Sequence, residues 1–194
     1  MARRILIIQG HPDSAEPHFC HAIGRAYEDG ATKAGHEVRV LDVGALDFPL
    51  LRSPHEFEKG EPPPAIRGVQ DDIRWAQHLV IIYPLWLGTL PALLRAFFEQ
   101  TFRYGFAMGL GGAGLPRKLL KGRSARIIVT MGMPAMVYRA LFRAHGLKSL
   151  ESGVLSLSGI GPIRSTLFGR VAQVSAAYRR RFLDDLRELG RRAE

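Results

Sequence analysis

The chain alternates short, unbroken apolar runs with longer amphipathic stretches. The first run, residues 4–8, reads Arg-Ile-Leu-Ile-Ile. It lacks the polar alternation of a half-exposed strand, so it predicts a strand covered on both faces. Similar runs predict further strands over residues 37–43, 78–83, 125–130 and 153–158. Between and after them, helical periodicity predicts helices over about 17–34, 65–77, 91–102, 136–144 and 169–191. Gly35 just past the first helix and Pro91 at the start of the third occupy positions those residues favour. Residues 44–64, with Pro49, Pro54, Pro62, Pro63 and Pro64, read as irregular. So do residues 104–120, with Gly105, Gly109, Gly111, Gly112 and Gly114. A stretch as long as 44–64 is expected to be functional or an interface arm.

Strands alternating with helices predict an α/β fold, a parallel sheet sandwiched between two helical layers. Five strands with right-handed crossovers predict the flavodoxin-like order 2-1-3-4-5. No repeat or linker divides residues 1–194, so a single domain is expected. In such a sheet ligands sit at the carboxyl ends of the strands, where the order reverses between strands one and three.

Composition narrows the class. A hydrophobic fraction of 46% excludes general disorder, and one cysteine, Cys20, excludes an intrachain disulfide. Arg3 and Arg4 precede an apolar run, but no small-residue cleavage site follows it. The longest apolar stretch, residues 79–94, is interrupted by Pro84, Gly88 and Pro91, which suits strand, loop and helix better than a membrane span. A cytoplasmic protein is expected. The net charge of +9 is compatible with nucleic acid, an anionic membrane surface or an anionic substrate. The basic residues are scattered apart from Arg179, Arg180 and Arg181, and no nucleic-acid motif accompanies them, so no nucleic-acid partner is expected. Membrane-surface contact has only the charge in its favour.

Three strand exits carry the candidate chemistry. The first, Gln9-Gly10-His11-Pro12, offers an imidazole and the N–H groups of a helix start, which together suit a phosphate. The second runs from Tyr83 through Pro84, Leu85, Trp86 and Leu87 to Gly88; the third is Thr130-Met131-Gly132-Met133-Pro134. Both present apolar side chains and free backbone N–H groups, with Trp86 as a stacking candidate. A phosphate tail joined to a flat ring with polar edges describes a flavin nucleotide. Neither Gly-x-Gly-x-x-Gly nor a P-loop motif is present, which argues against a Rossmann-bound dinucleotide and P-loop hydrolysis. His36, His55 and His78 lack metal-ligand spacing, so no metal is expected. Cys20 follows the first helical turn and reads as an inert buried thiol.

The order and spacing of these motifs resemble the NAD(P)H:quinone oxidoreductase family of flavodoxin-like flavoproteins. The matching residues are Gly10-His11-Pro12, Phe19-Cys20-His21-Ala22, Tyr83-Pro84-Leu85-Trp86, Leu90-Pro91-Ala92-Leu93-Leu94, Phe97-Phe98-Glu99 and Thr130-Met131-Gly132 with Tyr138. The likeness covers about residues 4–161. It implies that His11, His18, Phe19 and Cys20 hold the flavin phosphate or pyrophosphate. It implies that Pro84, Leu85, Trp86, Leu87 and Gly88, with Thr130, Met131, Gly132 and Met133, surround the isoalloxazine. Tyr138 matches a tyrosine implicated in hydride transfer, and His145 is the nearest match to a histidine that assists it.

The resemblance further implies FMN or FAD as a tightly bound cofactor, NAD(P)H as co-substrate and a quinone or similar small molecule as acceptor. It implies a homodimer whose arms are residues 44–64 and 104–120. This chain also departs from the family. His18 and Cys20 replace a frequent Ser and Asn, and Trp86 replaces the Gln of the mammalian members. Met108 and Leu110 replace tyrosines that close the pocket from the partner subunit. A greasier, less gated pocket is therefore expected. The alternative class is a flavin-bearing electron carrier or a regulatory subunit of a membrane transporter.

Overall fold

Ile5, Leu6, Ile7 and Ile8 are all fully buried, as an unalternated strand requires. They lie in a computed structural model of the chain that describes residues 1–109, 111 and 117–194. Its strands are β1 (Arg4–Gln9), β2 (Glu37–Asp42), β3 (His78–Pro84), β4 (Met108–Gly109), β5 (Arg117–Lys118), β6 (Ser124–Thr130) and β7 (Ile163–Phe168). The helices are α1 (Phe19–Lys33), α2 (Pro54–Glu58), α3 (Pro64–Trp75), α4 (Ala92–Thr101), α5 (Ala135–Ala140), α6 (His145–Lys148) and α7 (Ala176–Arg192).

Five strands form one parallel sheet in the order β2-β1-β3-β6-β7, the flavodoxin-like order expected. β4 and β5 pair separately as a two-stranded antiparallel ribbon. Successive side chains of the central strands enter opposite layers, as the two-residue strand period requires. Leu6, Ile8, Leu79, Ile81, Ile127 and Val129 pack with Ile66, Val69 and Ile73 of α3 and Leu94, Phe97 and Phe98 of α4. Ile5, Ile7, Val80, Ile82 and Ile128 pack with Ile23, Ala26 and Tyr27 of α1 and Leu186 of α7.

The fifth strand of the sheet is not where the pattern places it. Residues 153–158 were expected to be a strand, but Ser149–Ser156 is a π-helical stretch and β7 is Ile163–Phe168. The Ser/apolar alternation there has another use. Ser152 Oγ donates to the Lys148 carbonyl and Ser158 Oγ to the Val154 carbonyl, the back-bonding of helical serines. Leu150 and Leu155 are both fully buried, five positions apart, a spacing close to one π turn.

The last helix begins at Ala176 rather than near 169, because Ser175 caps it, its hydroxyl accepting from the Tyr178 N–H at 3.2 Å. The helix expected over 136–144 ends at Ala140, and Arg143 and Ala144 take left-handed φ values of 50°. Within residues 44–64 the chain forms α2, capped by Ser53, whose Oγ accepts from the Glu56 N–H. Leu110 and residues 112–116 of the glycine-rich segment lie outside the described residues.

Helices α1 and α7 cross where two glycines face each other's backbone. A Cβ on Gly30 would stand 1.9 Å from the Arg187 carbonyl oxygen, and one on Gly190 would stand 2.1 Å from that of Tyr27. Neither obstacle is a flexible side chain, so Gly30→Ala has to separate the helices. It is expected to cost about 1–3 kcal/mol in urea unfolding. Gly68 is exposed on α3 with nothing within 4 Å of its Cβ position. Gly68→Ala is expected to gain about 1 kcal/mol in the same assay, from helix propensity alone.

Candidate functional site

The sheet delivers three loops to one edge and bonds them together there. The Gly10 N–H donates to the Ile82 carbonyl at 2.7 Å, joining the exits of β1 and β3. A Cβ at Gly10 would meet Leu94 Cδ2 at 2.6 Å, so this turn excludes a side chain. The Leu85 N–H donates to the Thr130 carbonyl at 2.7 Å, joining the exits of β3 and β6.

The first loop is built around imidazoles. The rings of His11 and His18 stack at 3.7 Å, and His21 lies 5.7 Å from His11 and 5.8 Å from His18. His11 Nδ1 faces the backbone of Asp13, accepting from its N–H at 3.2 Å or donating to its carbonyl at 3.1 Å according to tautomer. Burial holds the His11 pKa below the ordinary histidine value, and the neighbouring His18 and His21 add to that. His18 Nε2 donates to Asp13 Oδ2 at 2.8 Å, while Asp13 Oδ1 accepts from the N–H groups of Ala15 and Glu16. The bond from His18 holds the Asp13 carboxyl below its usual range. His21 Nδ1 accepts from the His18 N–H at 3.1 Å, which leaves the proton of the neutral ring on Nε2. That Nε2 is buried with no partner among the described residues.

On the β2 side of this loop lies a cavity of about 380 Å³ lined by Gln9, His21, Arg25, Glu28 and Asp42 among others. Gln9 is 5% exposed, and its Oε1 has no partner among the described residues. Its amide lies where a Gly24 Cβ would be, 1.7 Å from Nε2.

The second loop is a tight turn. Trp86 and Thr89 exchange backbone hydrogen bonds of 3.0 and 2.9 Å, with Leu87 at φ 49° and Gly88 at φ 79°. Two consecutive positive φ values suit glycine or asparagine, and a leucine there is strained. The Leu87 side chain is fully exposed. Trp86 is 48% exposed and meets the edge of His11 at 6.1 Å.

In the third loop the carbonyls are tied down. Those of Met131 and Met133 accept from the N–H groups of Val171 and Arg170 in the segment after β7. Among the described residues no acceptor is found for the N–H groups of Leu87, Gly88, Gly132 or Met133. The rim between the second and third loops therefore presents free donors, while the Met131 and Met133 carbonyls are turned to other use.

The remaining expected residues occupy varied places. The Phe19 side chain packs on Phe168 at 4.8 Å, with the Arg179 guanidinium 6.0 Å from its ring. Cys20 is buried among the α1 and sheet side chains, its Sγ 3.3 Å from Thr130 Oγ1. Only its backbone N–H belongs to the helix start that was expected to hold a phosphate. Tyr138 is fully buried; its hydroxyl donates to the Gly88 carbonyl at 3.3 Å and accepts from the Leu147 N–H at 3.1 Å. It braces the second loop against α6, which approaches so closely that a Gly146 Cβ would stand 2.4 Å from the Gly88 carbonyl oxygen. His145 is exposed at the start of α6. Met108 is packed in the core.

His21 and the clamp from Arg170 and Val171 are absent from the sequence reading of the site. The signal for His21 was available: three residues after His18, it shares that residue's helix face. The clamp is made of backbone and has no sequence signature.

A model of the flavodoxin-like fold family matches residues 3–189. A Haemophilus influenzae protein named an uncharacterized NAD(P)H oxidoreductase is 26% identical over 183 residues, covering 92% of this chain and 90% of that one. A Penicillium crustosum protein named ribosyldihydronicotinamide dehydrogenase-like is 28% identical over 192 residues. The match takes in 85% of this chain but only 65% of the fungal protein's length. The NAD(P)H:quinone oxidoreductase of Methanothermobacter marburgensis superposes with a TM-score of 0.81 at 24% identity, covering 98% of this chain and 96% of that one.

Burial pushes the Cys20 thiol up to about 11. The native thiol therefore stays protonated as the pH rises from 7 to about 10, where an unfolded thiol, with pKa about 8.5, ionises. Alkylation by iodoacetamide at pH 8.5 is expected to be negligible in the folded protein and complete in urea. Tyr138→Phe strands the Gly88 carbonyl and the Leu147 N–H, and is expected to lower stability by about 1–3 kcal/mol in urea unfolding.

Proposed function

The chain belongs to the flavodoxin-like fold family, and on that premise we propose that it is a flavin-dependent oxidoreductase passing hydride from NAD(P)H to a quinone or similar small acceptor. The observation that supports this most is the joining of three chemically different loops at one sheet edge. One is an imidazole-rich helix start; the other two are apolar loops with unpaired N–H groups. A phosphate suits the first and a flat ring with polar edges suits the others. The residues present thus fit a flavin nucleotide.

His11, His18 and the N–H groups of Phe19 and Cys20 would hold the phosphate. Residues Pro84, Leu85, Trp86, Leu87 and Gly88 would flank one side of the ring and Thr130, Met131, Gly132 and Met133 the other. The free N–H groups of Leu87, Gly88, Gly132 and Met133 are donors already oriented by the fold, suited to negative charge developing beside them. When bound, the flavin supplies the hydride and electron chemistry, and the protein orients it and tunes its electronics. Tyr138 holds the Gly88 carbonyl and so positions the second loop. His145 stands next to that brace, free to meet an acceptor from outside.

The rim is open and greasy. Trp86, Leu87, Met136, Val137, Leu141 and Phe142 are all exposed apolar side chains. A cluster of this kind is suited to a second copy of the chain, an apolar acceptor or both. This supports the homodimer with sites completed at the interface. No helix among the described residues is long and apolar enough to cross a membrane.

The test is the visible spectrum of the protein reconstituted with FMN and, separately, FAD, before and after anaerobic NADPH. Bound flavin is expected to bleach and to return on adding quinone. A flavin that binds and never bleaches with NADPH or NADH would move the reading to an electron carrier. A protein that rejects both flavins would overturn it.

A further inference from the structure

The flavin reading leaves unexplained why one phosphate-binding turn carries three histidines. Their fixed surroundings make the question sharper. Asp13 pairs with His18, and Glu16, Arg25, Glu28 and Asp42 line the cavity that His21 borders. Arg179 of α7 lies further back, over Phe19. The nearby carboxylates outnumber the arginines, so the apo site has no standing surplus of positive charge with which to receive a phosphate.

The imidazoles are the groups able to supply it, since histidine changes charge near neutral pH. In the apo site they restrain one another. The His11 and His18 rings stack at 3.7 Å, so two full charges there repel, and Asp13 pairs with His18 alone. His21 already has its Nε2–H buried and unpaired, a donor without an acceptor. Leaving such a group unsatisfied costs free energy that an incoming anion would recover. The three rings do not form a metal site: no group of three His, Cys, Asp or Glu side chains among the described residues is arranged to hold a metal ion.

We propose that His11, His18 and His21 form one cradle that selects the dianionic phosphate monoester of FMN and takes up a proton from solvent when it binds. The inference rests on the flavin reading above and goes beyond it in naming His21, the phosphate class and the coupled proton. A terminal monoester carries close to two negative charges above its second pKa of about 6. The pyrophosphate of FAD spreads its charge as two monoanions, and riboflavin has none. Burial, with His18 and His21 adding to it, favours the neutral His11, and a dianion placed beside the stacked pair opposes both. Protonated, His11 Nδ1 donates to the Asp13 carbonyl it already faces at 3.1 Å. His18 keeps its bond to Asp13, and His21 gives its stranded Nε2–H to the ligand.

The sign of the pH dependence follows. Free His11 sits below its ordinary value, and the bound dianion raises it. Between those two values binding consumes a proton, so affinity is strongest at the low end and is lost as the pH rises.

The experiment measures FMN, FAD and riboflavin affinity by flavin fluorescence quenching from pH 6.5 to 9 in phosphate-free buffer. Titration calorimetry in buffers of different ionisation enthalpy counts the protons. FMN affinity is expected to fall as the pH rises from 6.5, by at most about tenfold per pH unit, the limit for one coupled proton. FAD is expected to bind more weakly with a shallower slope, riboflavin to show no slope, and calorimetry to report net proton uptake with FMN. His11→Gln should flatten the FMN slope and His21→Gln should weaken FMN binding at every pH, with riboflavin affinity retained in both. If either variant fails to fold, the calorimetric proton count on the unaltered chain decides.

No proton uptake with FMN, an FMN slope equal to that of riboflavin, or FAD bound as tightly as FMN would each overturn the cradle and leave the flavin reading standing. A chain that binds no flavin at any pH would overturn both.

Discussion

The dryness of three central strands governs the rest of the molecule. β1, β3 and β6 are buried on both faces, so their side chains have no room for chemistry. Each is paired with a strand on both sides, which commits the backbone polar groups along its length to its neighbours. Polar function is displaced to where the strands stop. There the same ladder continues for one more bond on each side, from Gly10 to Ile82 and from Leu85 to Thr130. These two bonds set the spacing of the loops that a ligand would bridge. The core thus positions the site and borders it only at the strand ends, at Gln9, Pro84 and Thr130.

What accumulates at that edge is a set of free backbone donors. Carbonyls of the third loop are claimed by the segment after β7, and the Gly88 carbonyl is claimed by Tyr138. N–H groups of both ring-facing loops are left over. At the neighbouring turn, His18 stands where a neutral Ser is frequent in the family it resembles. Short hydroxyl and amide side chains bind an anion with fixed dipoles; imidazoles bind it with adjustable charge. Charge supplied only on demand avoids a standing cluster of like charges in the apo protein, which would repel itself across 3.7 Å.

The central strands were legible because a run such as Leu-Val-Ile-Ile has few other uses, and their expected bounds fall within a residue of those observed. Strand five was misread because Gly-Val-Leu-Ser-Leu-Ser alternates like a strand. Of the two serines in that run Ser158 instead bonds back to a helix carbonyl, as Ser152 does just before it, and periodicity over six residues is too short a sample to tell the two apart. Tyr138 was found by its spacing, but its bracing role was not visible. That role depends on α6 arriving against Gly88 from a left-handed kink at Arg143 and Ala144. Cys20 was read both as a family-matched phosphate contact and as an inert thiol. The structure buries its side chain in the sheet interface and leaves only its N–H for the first role.

By itself the sequence determined the layered α/β class, the strand order and the three strand exits that we propose carry the chemistry. These follow from hydrophobic period and from the restricted handedness of crossovers, both local properties that a linear chain displays. Only the tertiary structure decided which backbone groups at those loops are free, that His21 closes a triangle with His11 and His18, and that Tyr138 holds a loop in place. Those outcomes depend on contacts between residues as far apart in the chain as Met131 and Val171, or Gly88 and Tyr138. Hydrogen-bond partners at such separations are chosen by packing, after the elements have formed, and no local pattern encodes them.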